Sequence, residues 1–242
     1  MSFDLDLVRT ALVIMDLQKG VTHLQVAPND TQAVVRNAKK LADAFRSGGG
    51  FVVPVRVALT DARDGLHPVT GRPVSASMQA RPADGSDFIE ELNVSPTDYQ
   101  VIKCQWGAFF GTDLDLQLRR RGIDIIVLCG IATNIGVETT AREAYQHGYR
   151  QIFAVDAMTA LSKEEHEHTL RYMFPRIGRL RTTEEILGSL QTGGAERSME
   201  EGRLLRSLEA ENTRLKQEIA RLRSITRTSD SMSSKLRNAL RE

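Results

Sequence analysis

With 242 residues, 41% of them hydrophobic, the chain can bury one sizeable α/β core and carry an appendage, or form two small domains. A formal net charge of +1 offers no global attraction to nucleic acid or to a membrane surface. Two cysteines, Cys104 and Cys129, at no spacing used by zinc or a redox pair, point to a reducing cytoplasm, and neither a basic leader nor a run of about 18 apolar residues predicts a signal peptide or a membrane span.

In chain order, T-A-L-V-I-M-D-L from Thr10 to Leu17 is an apolar run that predicts a first strand and delivers Asp16 at its end. Thr31 to Arg46 place Val34, Val35, Ala38, Leu41, Ala42 and Phe45 on one helical face, and Ser47-Gly48-Gly49-Gly50 ends that helix before a second buried strand, F-V-V-P-V-R-V. From Leu59 to Asp98 the composition turns to Pro, Gly, Asp, Ser and Arg, a loop long enough to be a lid or a partner contact. Y-Q-V-I-K-C predicts a short strand carrying Lys103. After W-G-A-F-F-G-T comes an amphipathic helix opened by Asp113 and closed by Gly122.

Ile123 to Ala141 is the organising stretch. Ile125, Ile126, Val127 and Leu128 form the uninterrupted apolar run of a strand buried on both faces of a parallel sheet. It passes Cys129-Gly130 and a tight polar turn at Thr133-Asn134, then becomes a helix with Val137, Ala141, Ala144 and Tyr145 at helical spacing and Gly148 as its stop. A strand turning directly into a helix leaves backbone N–H groups at the sheet edge, a cradle for an anion or oxyanion. Q-I-F-A-V-D-A-M is a further strand ending in Asp156, and Ser162 caps a helix whose His166 and His168 read as surface residues. R-I-G-R-L-R is a final strand, and T-T-E-E-I-L-G-S-L a final helix with Thr182 as cap and Glu185 three residues on. Strands alternating with helices imply a three-layer α/β fold: a parallel sheet with helices on both faces.

Beyond Thr192-Gly193-Gly194 the pattern changes. Leu205, Asn212 and Ile219 follow the a positions and Leu208, Leu215 and Leu222 the d positions of a coiled coil, with Glu211 and Glu218 at g and Lys216 and Arg223 at e. Leu205–Leu222 is therefore expected to self-associate in parallel. With about two and a half strong heptads it would lean on the main domain's own association, and a single amphipathic helix packed on its own domain is the alternative. The preceding E-R-S-M-E-E-G-R mixes acid with base, so no basic region for DNA adjoins the zipper. The expected division is a main α/β domain over residues 1–192, a coiled-coil helix over 193–225 and a disordered tail over 226–242.

Three strand ends thus bring polar groups to one edge: Asp16, Lys103 and the Ala132–Gly136 turn. A carboxylate and an ammonium sharing a partly buried spot can move protons; the same residue types also make a structural ion pair at strand ends.

The segments A-L-V-I-M-D-L-Q, V-I-K-C-Q-W-G-A-F-F-G-T-D-L and L-C-G-I-A-T-N-I-G-V-E-T-T-A resemble the three blocks of the isochorismatase-like hydrolase superfamily, in order and spacing, over roughly Thr10 to Leu190. W-G-A-F, L-R-R-R-G-I-D and T-N-I-G-V-E are similar to the branch of bacterial YecD-type proteins. The resemblance implies a five- or six-stranded parallel sheet, a homodimer or homotetramer, catalytic Asp16 and Lys103, and a cis peptide at Ile131-Ala132. Where most amidases of the family carry a cysteine nucleophile, this chain has Gly136, so the thioester route is closed. Cys129 lies inside an apolar strand, and strand alternation turns Cys104 away from Lys103. Glycine also occupies this place in the isochorismatases of siderophore and phenazine pathways, where the resemblance implies an acid that protonates a vinyl ether carbon, with release of pyruvate. Those enzymes carry Y-A-H-I-G where this chain has A-T-N-I-G, which leaves isochorismate itself unassigned.

The resemblance further implies a small-molecule substrate, no cofactor, and a substrate-binding set of Gln18, Trp106, Phe109, Ala132, Thr133, Asn134 and Ile135. Trp106 and Phe109 would wall the pocket, or else belong to ordinary core or a subunit interface. The metal cluster of the nicotinamidase branch is not matched: Asp61, Asp64 and His67 sit in a polar loop with one histidine missing, so no metal is expected. The competing function is an oligomeric scaffold that keeps the fold without turnover and arranges partners through its tail.

Overall fold

A computed structural model describes residues 5–61, 63–65, 82–190 and 202–221. The apolar runs form β1 (Thr10–Met15), β2 (Phe51–Val57), β3 (Val101–Lys103), β4 (Ile125–Ile131), β5 (Arg150–Thr159) and β6 (Arg179–Arg181). They make a six-stranded sheet in the order β3-β2-β1-β4-β5-β6, every neighbouring pair parallel. Strand order reverses between β1 and β4, and in open α/β sheets the crevice at the carboxyl ends of such strands is where ligands bind.

Alternation along β1 explains the two-sided core. Leu12 and Ile14 point to one face, packing with Val127 and Cys129 of β4 against Val34, Ala38, Leu41 and Phe45 of α1 (Thr31–Ser47). Ala11, Val13 and Met15 point to the other, against Leu114 and Leu118 of α2 (Leu114–Arg120) and Val137, Ala141 and Ala144 around α3 (Glu138–Gln146). Period-two side chains on a strand covered by helices on both faces leave no polar position, which is why β1 and β4 are buried throughout.

Asp30 caps α1, accepting from the Ala33 N–H at 2.7 Å, and the expected cap is met at α4 (Lys163–His168), where Ser162 accepts from the Glu165 N–H at 3.2 Å. Thr182 and Glu185 close a reciprocal capping box, 2.7 and 3.3 Å, at the start of α5, residues 183–190. Asp113 does not cap α2 with its side chain. Its backbone sits at φ −99°, ψ 16° rather than extended, so the carboxylate takes Tyr99 Oη and Gln117 Nε2, and Thr112 Oγ1 accepts the Leu114 N–H at 3.2 Å instead.

β5 runs past Asp156 to Thr159, because the β4–β5 register shifts between Leu128 and Gly130. Asp156 therefore lies within the strand, and its carboxylate caps α5 through Thr183 N–H and Oγ1 at 2.7 and 2.9 Å. Of the Leu59–Asp98 loop, expected to be a lid or a partner contact, residues 62 and 66–81 lie outside the described residues. The segment beyond is stitched to the chain after Asp16: Lys19 N–H to Asp87 O at 2.9 Å, Gly20 N–H to Gly85 O at 3.0 Å and Ile89 N–H to Leu17 O at 3.2 Å.

The chain divides into two units, Met1–Thr192 and Gly193–Glu242. The second contains one helix, 202–221, among its described residues; Leu222, Arg223 and residues 226–242 lie outside them. No helix among the described residues is long and apolar enough to cross a membrane.

Candidate active site

β1 delivers Asp16 to the carboxyl edge and then stops, because Asp16 adopts φ 52°, a left-handed conformation that a short polar side chain tolerates better than most. Its N–H still bonds Val55 O at 3.0 Å, and its carbonyl accepts the Gln18 N–H at 2.8 Å. Lys103 arrives at the end of β3, two strand spacings away, roughly 10 Å. The long lysine stem bridges the gap, and Nζ lies 2.9 Å from Asp16 Oδ2. Its other donors go to the carbonyls of Gln105 at 3.1 Å and Trp106 at 2.7 Å, so all three ammonium protons have acceptors. Lys103 is 2% exposed and Asp16 7%. A carboxylate and an ammonium this deeply buried are held by each other and by oriented carbonyl dipoles rather than by water.

The ion pair faces Gly136. A Cβ at that position would sit 2.9 Å from Asp16 Oδ2, 3.5 Å from Trp106 O and 3.7 Å from Lys103 Nζ. Gly136 lies in a wide π-type turn, Thr133–Val137, that joins β4 to α3. The Ile131-Ala132 peptide that precedes it is cis. The turn is only partly an anion cradle. The N–H groups of Ile135 and Val137 both go to Ala132 O, at 3.1 and 3.2 Å, which leaves the first-turn amides of Thr133 and Asn134 as the donors without intrahelical acceptors.

The chemistry-bearing sequence blocks coincide with a known family: the isochorismatase domain matches residues 10–185. The chain belongs to the isochorismatase family. It is 58% identical over 186 residues to the isochorismatase family protein YwoC of Bacillus subtilis, covering 77% of this chain and 96% of YwoC. It is 46% identical over 184 residues to the isochorismatase family protein YecD of Escherichia coli O157:H7, covering 75% and 96%. The structure of an isochorismatase family protein from Burkholderia thailandensis superposes with a TM-score of 0.73 at 40% identity, over 78% of this chain and 98% of that one. The likeness to YecD-type proteins therefore holds, and the protein is an isochorismatase-like hydrolase.

Around this family site the other expected residues take varied places. Thr133 is buried with its Oγ1 2.8 Å from His166 Nδ1. His166 is thus not a surface residue: it is 3% exposed, because α4 lays its inner face on the turn, and burial holds its pKa below the ordinary histidine value. His168 is exposed, as expected. Asn134 Oδ1 is enclosed and has no hydrogen-bond partner among the described residues. It lines a cleft with Glu138, Glu164, Glu165, His168 and Thr169, where Thr169 Oγ1 donates to Glu138 Oε2 at 2.6 Å. Ala132 and Ile135 are half-buried on the same turn.

Gln18 is buried, and its amide is fully engaged with main chain. Oε1 accepts from Val57 N–H at 2.8 Å, and Nε2 donates to Val57 O at 2.9 Å and Ser86 O at 3.0 Å. Trp106 contributes its carbonyl to Lys103, while its side chain stands two-thirds exposed (66%). Phe109 does not stand beside it. It is buried in the helix-covered core, ring centroids 5.0 Å from His147 and 5.8 Å from Tyr149, and of the two phenylalanines in this loop the exposed one is Phe110.

Two α3 residues, Thr140 within the third block and Glu143 just beyond it, hold that loop in place: Thr140 Oγ1 accepts from Ala108 N–H at 3.1 Å and Glu143 Oε2 from Phe109 N–H at 3.1 Å. The Glu143 carboxylate fills the space a side chain at Gly107 would need. Their i, i+3 spacing on the inner face of α3 was the available signal.

Neither cysteine stands in for a thiol at position 136. Cys129 is wholly buried in the core with its thiol pKa pushed up by desolvation, and Cys104 Sγ lies 4.0 Å from Ala58 O. Asp61 and Asp64 are exposed and tie their own turn, through the Arg63 N–H and the Thr60 N–H. His67 lies outside the described residues.

Proposed function

We propose that this isochorismatase-family hydrolase cleaves a small carboxylated substrate, such as a vinyl ether of the isochorismate type, by acid–base chemistry at Asp16 without a thiol nucleophile. The observation that carries this reading is the buried Asp16–Lys103 pair, 2.9 Å apart, facing a glycine that sets no side chain against the carboxyl group.

Protonated Asp16 delivers its proton to the terminal vinyl carbon, and the ether oxygen stabilises the cation on the adjacent carbon. Water adds to that carbon and returns a proton to the Asp16 carboxylate; the resulting hemiketal breaks the bond between that carbon and the ether oxygen, which leaves with the ring and takes up the hemiketal hydroxyl's proton, releasing pyruvate and an alcohol. Lys103 compensates the carboxylate left after proton transfer, and its bonds to the carbonyls of Gln105 and Trp106 hold it in register. The amides of Thr133 and Asn134 receive the substrate carboxylate, and Ala132 and Ile135 supply apolar contact. Gln18 positions the chain after Asp16 by clamping it to β2, and Trp106 closes the outer rim. The buried pair in place supports turnover over a purely scaffolding role. The catalytic domain works as a homodimer or homotetramer in the cytoplasm.

Purified protein should release pyruvate from isochorismate, read by a coupled lactate dehydrogenase assay, and Asp16→Asn should lower the rate by about 10²–10⁴. No pyruvate, or an Asp16→Asn variant as fast as wild type, overturns the reading.

A further inference from the structure

The helix 202–221 is about 30 Å long at 1.5 Å per residue. Leu205, Leu208, Leu215 and Ile219 are 59, 54, 55 and 49% exposed, and their spacing puts them on one stripe. An isolated helix of this length is marginal in water, and its stability comes from packing an apolar face on a partner. YwoC and YecD are each matched over 96% of their length by about three quarters of this chain, and the isochorismatase domain ends at residue 185. The helix is therefore an addition to the catalytic fold and serves something else.

We propose that the stripe zips to the same stripe of a second copy of this chain as a parallel, two-stranded coiled coil in register at Asn212. Both members of each flanking charge pair come from the same sequence. In a parallel pair, Glu211 of one chain meets Lys216 of the other. An antiparallel pair would instead set Glu211 against Glu218, like charge against like, so the orientation is specified by repulsion as well as attraction. A foreign helix would need to reproduce this pattern; a second copy carries it already.

Asn212 points the same way. At an a position of a parallel, in-register pair, two carboxamides meet and satisfy each other. In an antiparallel or slipped pair each would face a leucine and lose its hydrogen bond, at a cost of about 1–3 kcal/mol. Leucine at the d positions 208 and 215 with Ile219 at a and Asn212 at the middle a selects two strands over three or four.

The test uses the full chain with one added cysteine: Leu205→Cys on the stripe or Ser207→Cys on the outer face. Under mild oxidation Leu205→Cys should give a covalent dimer in at least about tenfold higher yield than Ser207→Cys or wild type, since only stripe residues meet at disulfide distance. Equal yields, or no dimer, overturn the proposal, as expected of a helix packed on its own domain or on a foreign protein. Mixing Leu208→Cys with Ile219→Cys chains tests orientation: a predominant mixed dimer means an antiparallel pair and also overturns it. Asn212→Leu should shift the sedimenting mass to larger assemblies; an unchanged mass sinks the two-stranded assignment.

Discussion

At Gly136 packing and chemistry meet on one missing atom. The φ of Gly136 is one a side chain can adopt, so Gly136→Ala should fold, but its Cβ, 2.9 Å from Asp16 Oδ2, must push the carboxylate aside by a few tenths of an ångström. Misplacement on that scale should cost about tenfold or more in turnover, with the circular dichroism spectrum unchanged. Gly136→Cys places a thiol beside the Lys103 ammonium, which favours thiolate. The introduced thiol should be alkylated by iodoacetamide at neutral pH faster than Cys104 or the buried Cys129, and adding Lys103→Met should slow it; alkylation no faster than at the native cysteines would falsify the proposed geometry. Lys103→Met alone leaves a carboxylate buried without its ammonium, an expected loss of about 3–5 kcal/mol in urea unfolding.

The joint between β4 and α3 depends on two neighbours. On one side Gly130, at φ 115°, sits so close to Met15 that an added Cβ would overlap the Met15 carbonyl. Gly130→Ala should therefore lose at least about 2 kcal/mol of stability, from backbone strain and overpacking together. On the other side α4 latches the turn through Thr133 and His166. Burial holds the His166 pKa below 6.5 in the folded chain, so as pH falls the unfolded chain takes up this proton first. The neutral histidine's contribution is complete above the unfolded value and is lost as pH drops through the folded one. Urea midpoints between pH 7.5 and 5 should fall more steeply for wild type than for His166→Gln; equal slopes would remove His166 as a source of acid sensitivity.

For the molecule as a whole, the unit Met1–Thr192 holds both core clusters and every residue assigned to the site. A chain ending at Thr192 should keep its thermal midpoint and its pyruvate-releasing activity within about twofold, because a unit with its own hydrophobic core can fold alone. A truncated protein that loses activity while remaining folded would show that the tail takes part in the chemistry.

Period-two and period-3.6 apolar spacing already specified the six strands, the helices covering them and the central place of Ile125–Leu128, because burial on both faces of a parallel sheet demands uninterrupted apolar runs. The family blocks likewise singled out Asp16, Lys103 and Gly136. Which way individual side chains turn was left to three-dimensional packing. Phe109 and Phe110 are indistinguishable in the chain, yet Thr140 and Glu143 bond the loop so that the first is buried and the second exposed. His166 reads as a surface histidine until α4 presses it onto Thr133, Asp113 caps nothing once Tyr99 and Gln117 take its carboxylate, and the Gln18 amide is consumed by Val57 and Ser86. Local pattern reports how much of an element must be hidden from water; only long-range contacts choose the partner for each polar group.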